Sequence, residues 1–250
     1  MKIKEILAFL EKDFPLFKQE AWDHSGLQLG NADNEVSRIL ITLNVDQGTI
    51  QQAISNHVEL IISHHPFFFH GVKEINTASI QGSNIESLLE HKITVYAMHT
   101  NYDALYMNQL LLEKLGCTDI KPVDSSGTLR AGQLSEPLSF KALLKQIKAV
   151  FNMPVIRYCG HPPREVRTIA MCGGSGHDFI NDALPLYDVY ITGDISYSHA
   201  MDVILKPRGA LIDVPHFIEA AFKEDIFTRL NEWPDVQLIL AMEKDYFTYV

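Results

Sequence analysis

The residues with the most chemical potential sit in one short run, LIISHHPFFFH, from Leu60 to His70. Four apolar or small residues lead into the adjacent histidines His64 and His65, then a proline and three phenylalanines. Two further segments share the form of an apolar run followed by ligand-type side chains. ITVYAM precedes HTNYDA, with His99 and Asp103, and ALIDVP precedes His216 and Glu219. Neutral imidazole combined with carboxylate suits divalent ions such as Zn, Fe or Mn. Neighbouring residues on an extended backbone point to opposite sides, so His64 and His65 would serve different ions of a pair rather than chelate one. Pro66 biases His65 toward extended backbone angles, and the three phenylalanines could wall the site from water. His216 and Glu219, three apart, share a face if their segment is helical, and a carboxylate there could bridge two ions. Two ions about 3.5–4 Å apart can activate a shared water.

A lone histidine is by default solvent-facing or structural, and most of the eleven here should be. What favours a metal site is the convergence of three strand ends, because open parallel α/β sheets form their sites at the carboxyl ends of strands. The elements that would position these residues follow from periodicity. MKIKEILAFLEKDF places Ile3, Ile6, Leu7, Leu10 and Phe14 at helical spacing and carries charges that a leader peptide would not, so it reads as an amphipathic helix. RILITLNV, ELIIS and ITVYAM read as strands, alternating with helices in QGTIQQAISNH, NIESLLEHK and MNQLLLEKLG, the last capped by Gly116. KPVDSSGTLRAG, rich in turn residues, predicts a linker or domain edge. Helix FKALLKQIKAVF, strands VIRYC, TIAMCGG and DVYITG, helix SHAMDVIL, strand ALIDV, a helix from about Phe217 and a strand VQLILAM follow. The expected fold is α/β with two lobes, mixed mostly parallel sheets and flanking helices. Residues 1–125 plus 210–250 would form the first lobe and residues 126–209 the second.

Composition narrows the function classes. The chain has 250 residues, 46% of them hydrophobic, enough for one large or two modest cores. No apolar run reaches the length of a membrane span, which points to a soluble, cytoplasmic protein. Three cysteines, Cys117, Cys159 and Cys172, with no C-x-x-C pair argue against a disulfide framework or a thiolate zinc site. A net charge of −10 without a basic run argues against nucleic acid or anionic membrane as a partner.

Three weaker motifs stand beside the main set. GGSG, Gly173 to Gly176, is a tight turn or an approach for an anion; it lacks the pattern of a phosphate loop. WDHSGLQLG, from Trp22, reads as a capped turn that packs an aromatic residue. In TGDISYSHA, Asp194 reads as a helix N-cap and His199 as a supporting or surface residue.

Taken together, SHHPFFF, HTNYDA, WDHSGLQLG, CGGSG, TGDIS with a nearby histidine, and DVPHFIE resemble the GTP cyclohydrolase 1 type 2 homologue family, the NGG-interacting-factor-like dinuclear metal-binding proteins. The resemblance spans nearly the whole chain from Trp22, and SHHP with H-T-N-x-D-A is its specific part. It implies that His65 and Asp103 hold one divalent ion, that His64 and His216 hold the other, and that Glu219 bridges them. It also implies a two-lobed α/β subunit in a toroidal homohexamer. This chain departs from the family pattern at two places. The family writes Gly-His with a Glu four residues on, where this chain has Pro215, His216 and Glu219, with Ala220 at the fourth position. The family more often has Asn where His24 stands.

The function expected is that of a metal-dependent hydrolase acting on a small molecule, a nucleotide or phosphoester, with His99 moving a proton. The alternative, from a different class, is a non-catalytic metal-binding scaffold or regulatory protein that forms a ring.

Overall fold

A computed structural model describes all residues, 1–250, and divides them into two compact units. One comprises Met1–Tyr102 and Phe222–Lys244, the other Asp103–Ala221 and Asp245–Val250. Both are α/β with a mixed sheet flanked by helices. No helix is long and apolar enough to cross a membrane.

The first unit has a five-stranded sheet in the order Gly26–Leu29, Thr94–Ala97, Leu60–Ser63, Arg38–Thr42, Gln237–Leu240. Its last three pairings are parallel, and Gly26–Leu29 joins antiparallel at the edge. The inner strands read as continuous aliphatic runs because both faces are covered. Leu40, Ile61 and Val95 pack with Ile50 and Ala53 of helix Gln47–Ser55 and Leu88 of helix Ile80–Glu90. Ile39, Ile41, Leu60 and Ile62, which alternate to the other face, are equally buried. Helix Ile3–Asp13 forms as its periodicity predicts, burying Ile3, Ile6, Leu7 and Leu10, and its Glu11 accepts a hydrogen bond from Tyr96 Oη at 2.9 Å. Backbone pairing continues past the strand ends. His64 N–H donates to Thr42 O, His65 N–H to Leu43 O and Met98 N–H to Ser63 O, at 2.9–3.1 Å. Pro66, which has no donor, ends that pairing. The two histidines are therefore held by the sheet although they lie outside the strand.

The second unit has a six-stranded sheet in the order Cys117–Pro122, Arg130–Ser139, Glu165–Ser175, Val189–Gly193, Gly209–Asp213, Arg157–His161. The strands Glu165–Ser175, Val189–Gly193 and Gly209–Asp213 run parallel, and the outer strands pair antiparallel. Ala170, Cys172, Tyr190 and Leu211 pack there with Ile180, Ala183, Leu184 and Val203. Helix Phe140–Val150 buries Phe140, Leu143 and Ile147. The linker expected at KPVDSSGTLRAG is instead the turn of a β-hairpin between Cys117–Pro122 and Arg130–Ser139. Asp124 closes it by accepting from Ser126 N at 2.9 Å and Leu129 N at 2.8 Å. Asp, Ser and Gly are turn formers first, and their cluster marks a reversal of the chain as readily as a linker.

Candidate metal centre

In the first unit the ends of two neighbouring parallel strands, Leu60–Ser63 and Thr94–Ala97, bring His64, His65 and His99 together. Their ligand-type nitrogens all lie within 4.8 Å of one another. Each ring is oriented through Nδ1. His64 Nδ1–H donates to Met98 O at 2.8 Å, His65 Nδ1–H to Asn44 Oδ1 at 2.7 Å, and His99 Nδ1–H to Asp23 Oδ1 at 2.8 Å. Carbonyl and carboxylate oxygens can only accept, so Nδ1 carries a proton on each ring, as it does in a histidine that ligates a metal through Nε2. His64 is wholly buried, against the rings of Phe222 and Tyr102 at centroid distances of 5.2 and 6.2 Å.

Asp23 is itself buried and strongly held. It accepts from His99 and also from His24 N and Ser25 Oγ, each at 2.7 Å, and from Thr100 N at 3.1 Å and Thr100 Oγ1 at 2.5 Å. Burial alone would push its carboxyl up, but the bond and charge of His99, then Thr100 and Ser25, outweigh it and hold the group below the usual carboxylate range. The capped turn expected at WDHSG thus serves to place this carboxylate, and its aromatic residue is not packed away: Trp22 is 59% exposed. Nor do all three phenylalanines wall the site. Phe67 packs on the core, Phe68 lies tilted against Phe67 at 4.7 Å, and Phe69 alone reaches His99, at 6.1 Å.

The second unit carries the other candidate ligands. Asp103 opens a π-helical turn, Asp103–Met107, the kind of widened turn frequent at functional sites. Its carboxylate lies within 4.8 Å of that of Glu219. His216 and Glu219 stand on a 3-10 turn, His216–Ala220, and touch at 2.9 Å between Nε2 and Oε2. With 3.0 residues per turn, positions i and i+3 eclipse, so a three-residue spacing aligns the pair here as a four-residue spacing would on an α-helix. Gly174 makes room for it. At φ +63°, in the left-handed region, any Cβ there would collide with the Glu219 carboxylate. Gly173 and Gly174 thus stand inside the strand Glu165–Ser175 rather than in a turn, and Gly174 leaves clearance for Glu219.

His216 donates through Nδ1–H to Asp194 Oδ2 at 2.7 Å. Asp194 does not cap the next helix; Ser196 does, accepting from His199 N. Burial would lower the pKa of His216, but the charge and hydrogen bond of Glu219 and then those of Asp194 outweigh it, and the imidazole is pushed up to about 10. An imidazole flanked by two carboxylates, with Asp103 near the buried Glu219, is an arrangement that a cation stabilises. Cys172 is no competitor for it. Burial, then the charges of Asp103 and Glu219, push its thiol well up, so it stays protonated.

Imidazoles fixed by second partners, together with carboxylates and no thiolate, form a donor set that fits zinc, iron or manganese. The orienting residues Asn44, Asp23 and Asp194 went unrecognised as such in the sequence; a carboxylate or amide at a neighbouring strand end was the available signal.

Comparison with known proteins relates the whole chain to one family. The model of Duf34/NIF3 (NGG1p interacting factor 3) matches residues 1–245. A "GTP cyclohydrolase 1 type 2 homolog" of Campylobacter jejuni is 32% identical and covers 100% of both chains. The "GTP cyclohydrolase 1 type 2" of Helicobacter pylori is 30% identical over 86% of this chain and 85% of its own. A crystal structure of a Staphylococcus aureus hypothetical protein, 26% identical, superposes with a TM-score of 0.92 over 100% of this chain and 99% of its own. Shared sequence from end to end and a shared fold lead to one conclusion: this chain belongs to the Duf34/NIF3 family.

Proposed function

We propose that this protein is a dinuclear metal-dependent hydrolase of small molecules, with a nucleotide or phosphoester as substrate. His65 and Asp103 would hold one divalent ion, His64 and His216 the other, and Glu219 would bridge them. The observation that carries the reading is the Nδ1 commitment of His64, His65 and His216, which leaves Nε2 as the ligand atom on each. Bound ions would polarise a substrate oxygen and bring the pKa of water toward neutrality.

The chain's own residues supply the rest. Asp23 fixes His99 with its proton on Nδ1, so Nε2 can take a proton from the nucleophile and return it to the leaving group. The same buried carboxylate stabilises the imidazolium formed in between. Tyr102 and Phe222 keep water from one face of His64, which strengthens every electrostatic interaction there. A ring-shaped homohexamer in the cytoplasm belongs to the same proposal, and sedimentation of the purified protein tests the assembly.

Elemental analysis of the protein as isolated, followed by assay against GTP and a panel of phosphoesters, tests the function. The expected result is about two ions per chain and turnover that His65→Ala and Asp103→Ala abolish. Metal without turnover above those controls would replace the hydrolase with a metal-binding scaffold.

A further inference from the structure

Beside His99 the first unit exposes two aromatic rings that contribute little to its core. Trp22 is 59% exposed and Phe69 49%. Their centroids lie 5.9 and 6.1 Å from that of His99, both edge-on to it, and 5.9 Å from each other at a tilt of 40°. Leaving an indole and a phenyl in water forgoes apolar burial that each could contribute.

The rings are nonetheless held in place. Trp22 directly precedes Asp23, which five hydrogen bonds immobilise. The loop carrying Phe69 is tied to the same segment: Phe68 N–H donates to Gln28 Oε1 at 3.2 Å, and His24 Nδ1 donates to Phe68 O at 3.3 Å. Exposed aromatic faces on backbone pinned from both sides are preorganised for a ligand. The residues on either side of Trp22, Ala21 and Asp23, line a cavity of about 560 Å³ together with Leu16, Phe17, Glu20 and His24, a volume suited to a small organic molecule. No lysine or arginine lines it, so a phosphate would find no cation there.

We propose that Trp22 and Phe69 form a stacking shelf that positions a planar, nitrogen-containing aromatic ring beside His99. Electron-rich indole and phenyl faces attract electron-poor heteroaromatic rings by stacking, and base–aromatic stacking discriminates by ring rather than by substituent. The shelf makes a substrate with such a ring preferred over a plain phosphoester. Its place next to the reaction rests on the hydrolase reading, whereas ring binding does not.

Trp22 is its own reporter. The chain has two tryptophans, and Trp233 packs on Phe9 at 5.6 Å, so Trp233→Phe leaves Trp22 as the only indole. Titration of that variant with guanosine, adenosine or nicotinamide should quench emission saturably, whereas ribose 5-phosphate should not. The quench should persist after treatment with a chelator. In the Trp22→Phe protein, where Trp233 alone emits, it should vanish. Trp22→Ala should weaken ring binding, read by equilibrium dialysis, roughly 5- to 100-fold, and Phe69→Leu should weaken it less. Quenching without turnover leaves the shelf standing and removes the hydrolase; turnover with no quenching by any ring removes the shelf. Emission that shifts with protein concentration and ignores every ring would also overturn it, assigning the patch to a second copy of the chain.

Discussion

Asp194 accepts the Nδ1–H of His216 at 2.7 Å, and it does so from a left-handed backbone conformation, φ +56°. Asp is one of the few residues that tolerate this region, at a cost of order 1 kcal/mol. The strain aims a carboxylate at the far side of a candidate ligand, fixing its tautomer and raising its basicity. Asp194→Ala should therefore lower metal affinity by about 10- to 100-fold, measured by chelator competition. Asp194→Gly separates the two effects: it relieves the backbone and still loses the affinity.

Gly174→Ala tests the clearance around Glu219. The added methyl meets both the carboxylate and a left-handed φ. We expect a loss of about 1–3 kcal/mol in denaturant unfolding, together with fewer ions per chain by elemental analysis. Glu219→Gln keeps the shape and removes the charge, so it should lose metal and, unlike Gly174→Ala, lose stability only where His216 is protonated. Equal destabilisation by both variants would show that the glycine serves packing alone.

Part of this candidate site was legible in the sequence because His64, His65 and His99 follow strand ends whose signal is local. The run LIIS, apolar on both faces and too short for a helix, reads as a covered parallel strand, and Pro66 marks where the backbone pairing beyond His64 and His65 stops. The orienting residues were hidden for a physical reason. Asn44, Asp23 and Asp194 reach their histidines across 21, 76 and 22 residues, through tertiary contacts that no local periodicity encodes. Asp194 in particular stands next to a helix start, where Ser196 makes the bond that the motif suggested for Asp194. The hairpin at Asp124 was missed because turn chemistry looks the same in a linker.

The spacing of His216 and Glu219 makes a sharper prediction. On a 3-10 turn position 219 eclipses 216, whereas position 220 lies about 120° away. Moving the carboxylate to the family's four-residue spacing, with Glu219→Ala and Ala220→Glu together, should not preserve binding in this chain. Affinity should fall as far as with Glu219→Ala alone. Full retention would mean that the turn converts to an α-helix when the sequence invites it.

His216 links metal binding to pH. Its pKa stands at about 10 against the usual 6.5, because Glu219 and Asp194 favour the charged ring despite burial. A group raised on folding stabilises fully below its unfolded pKa, and that stability is lost as pH rises through the folded pKa. Chelator-treated protein should therefore melt at progressively lower temperature between pH 6.5 and 10 as the imidazolium loses its proton. A bound cation replaces that proton, so metal-loaded protein should show a flatter profile over the same window. Uptake of metal at pH 8 should release about one proton from this histidine, read by calorimetry in buffers of different ionisation enthalpy. His216→Gln should abolish both the slope and the released proton. If the slope survives that substitution, the titrating group lies elsewhere and His216 is neutral in the folded chain.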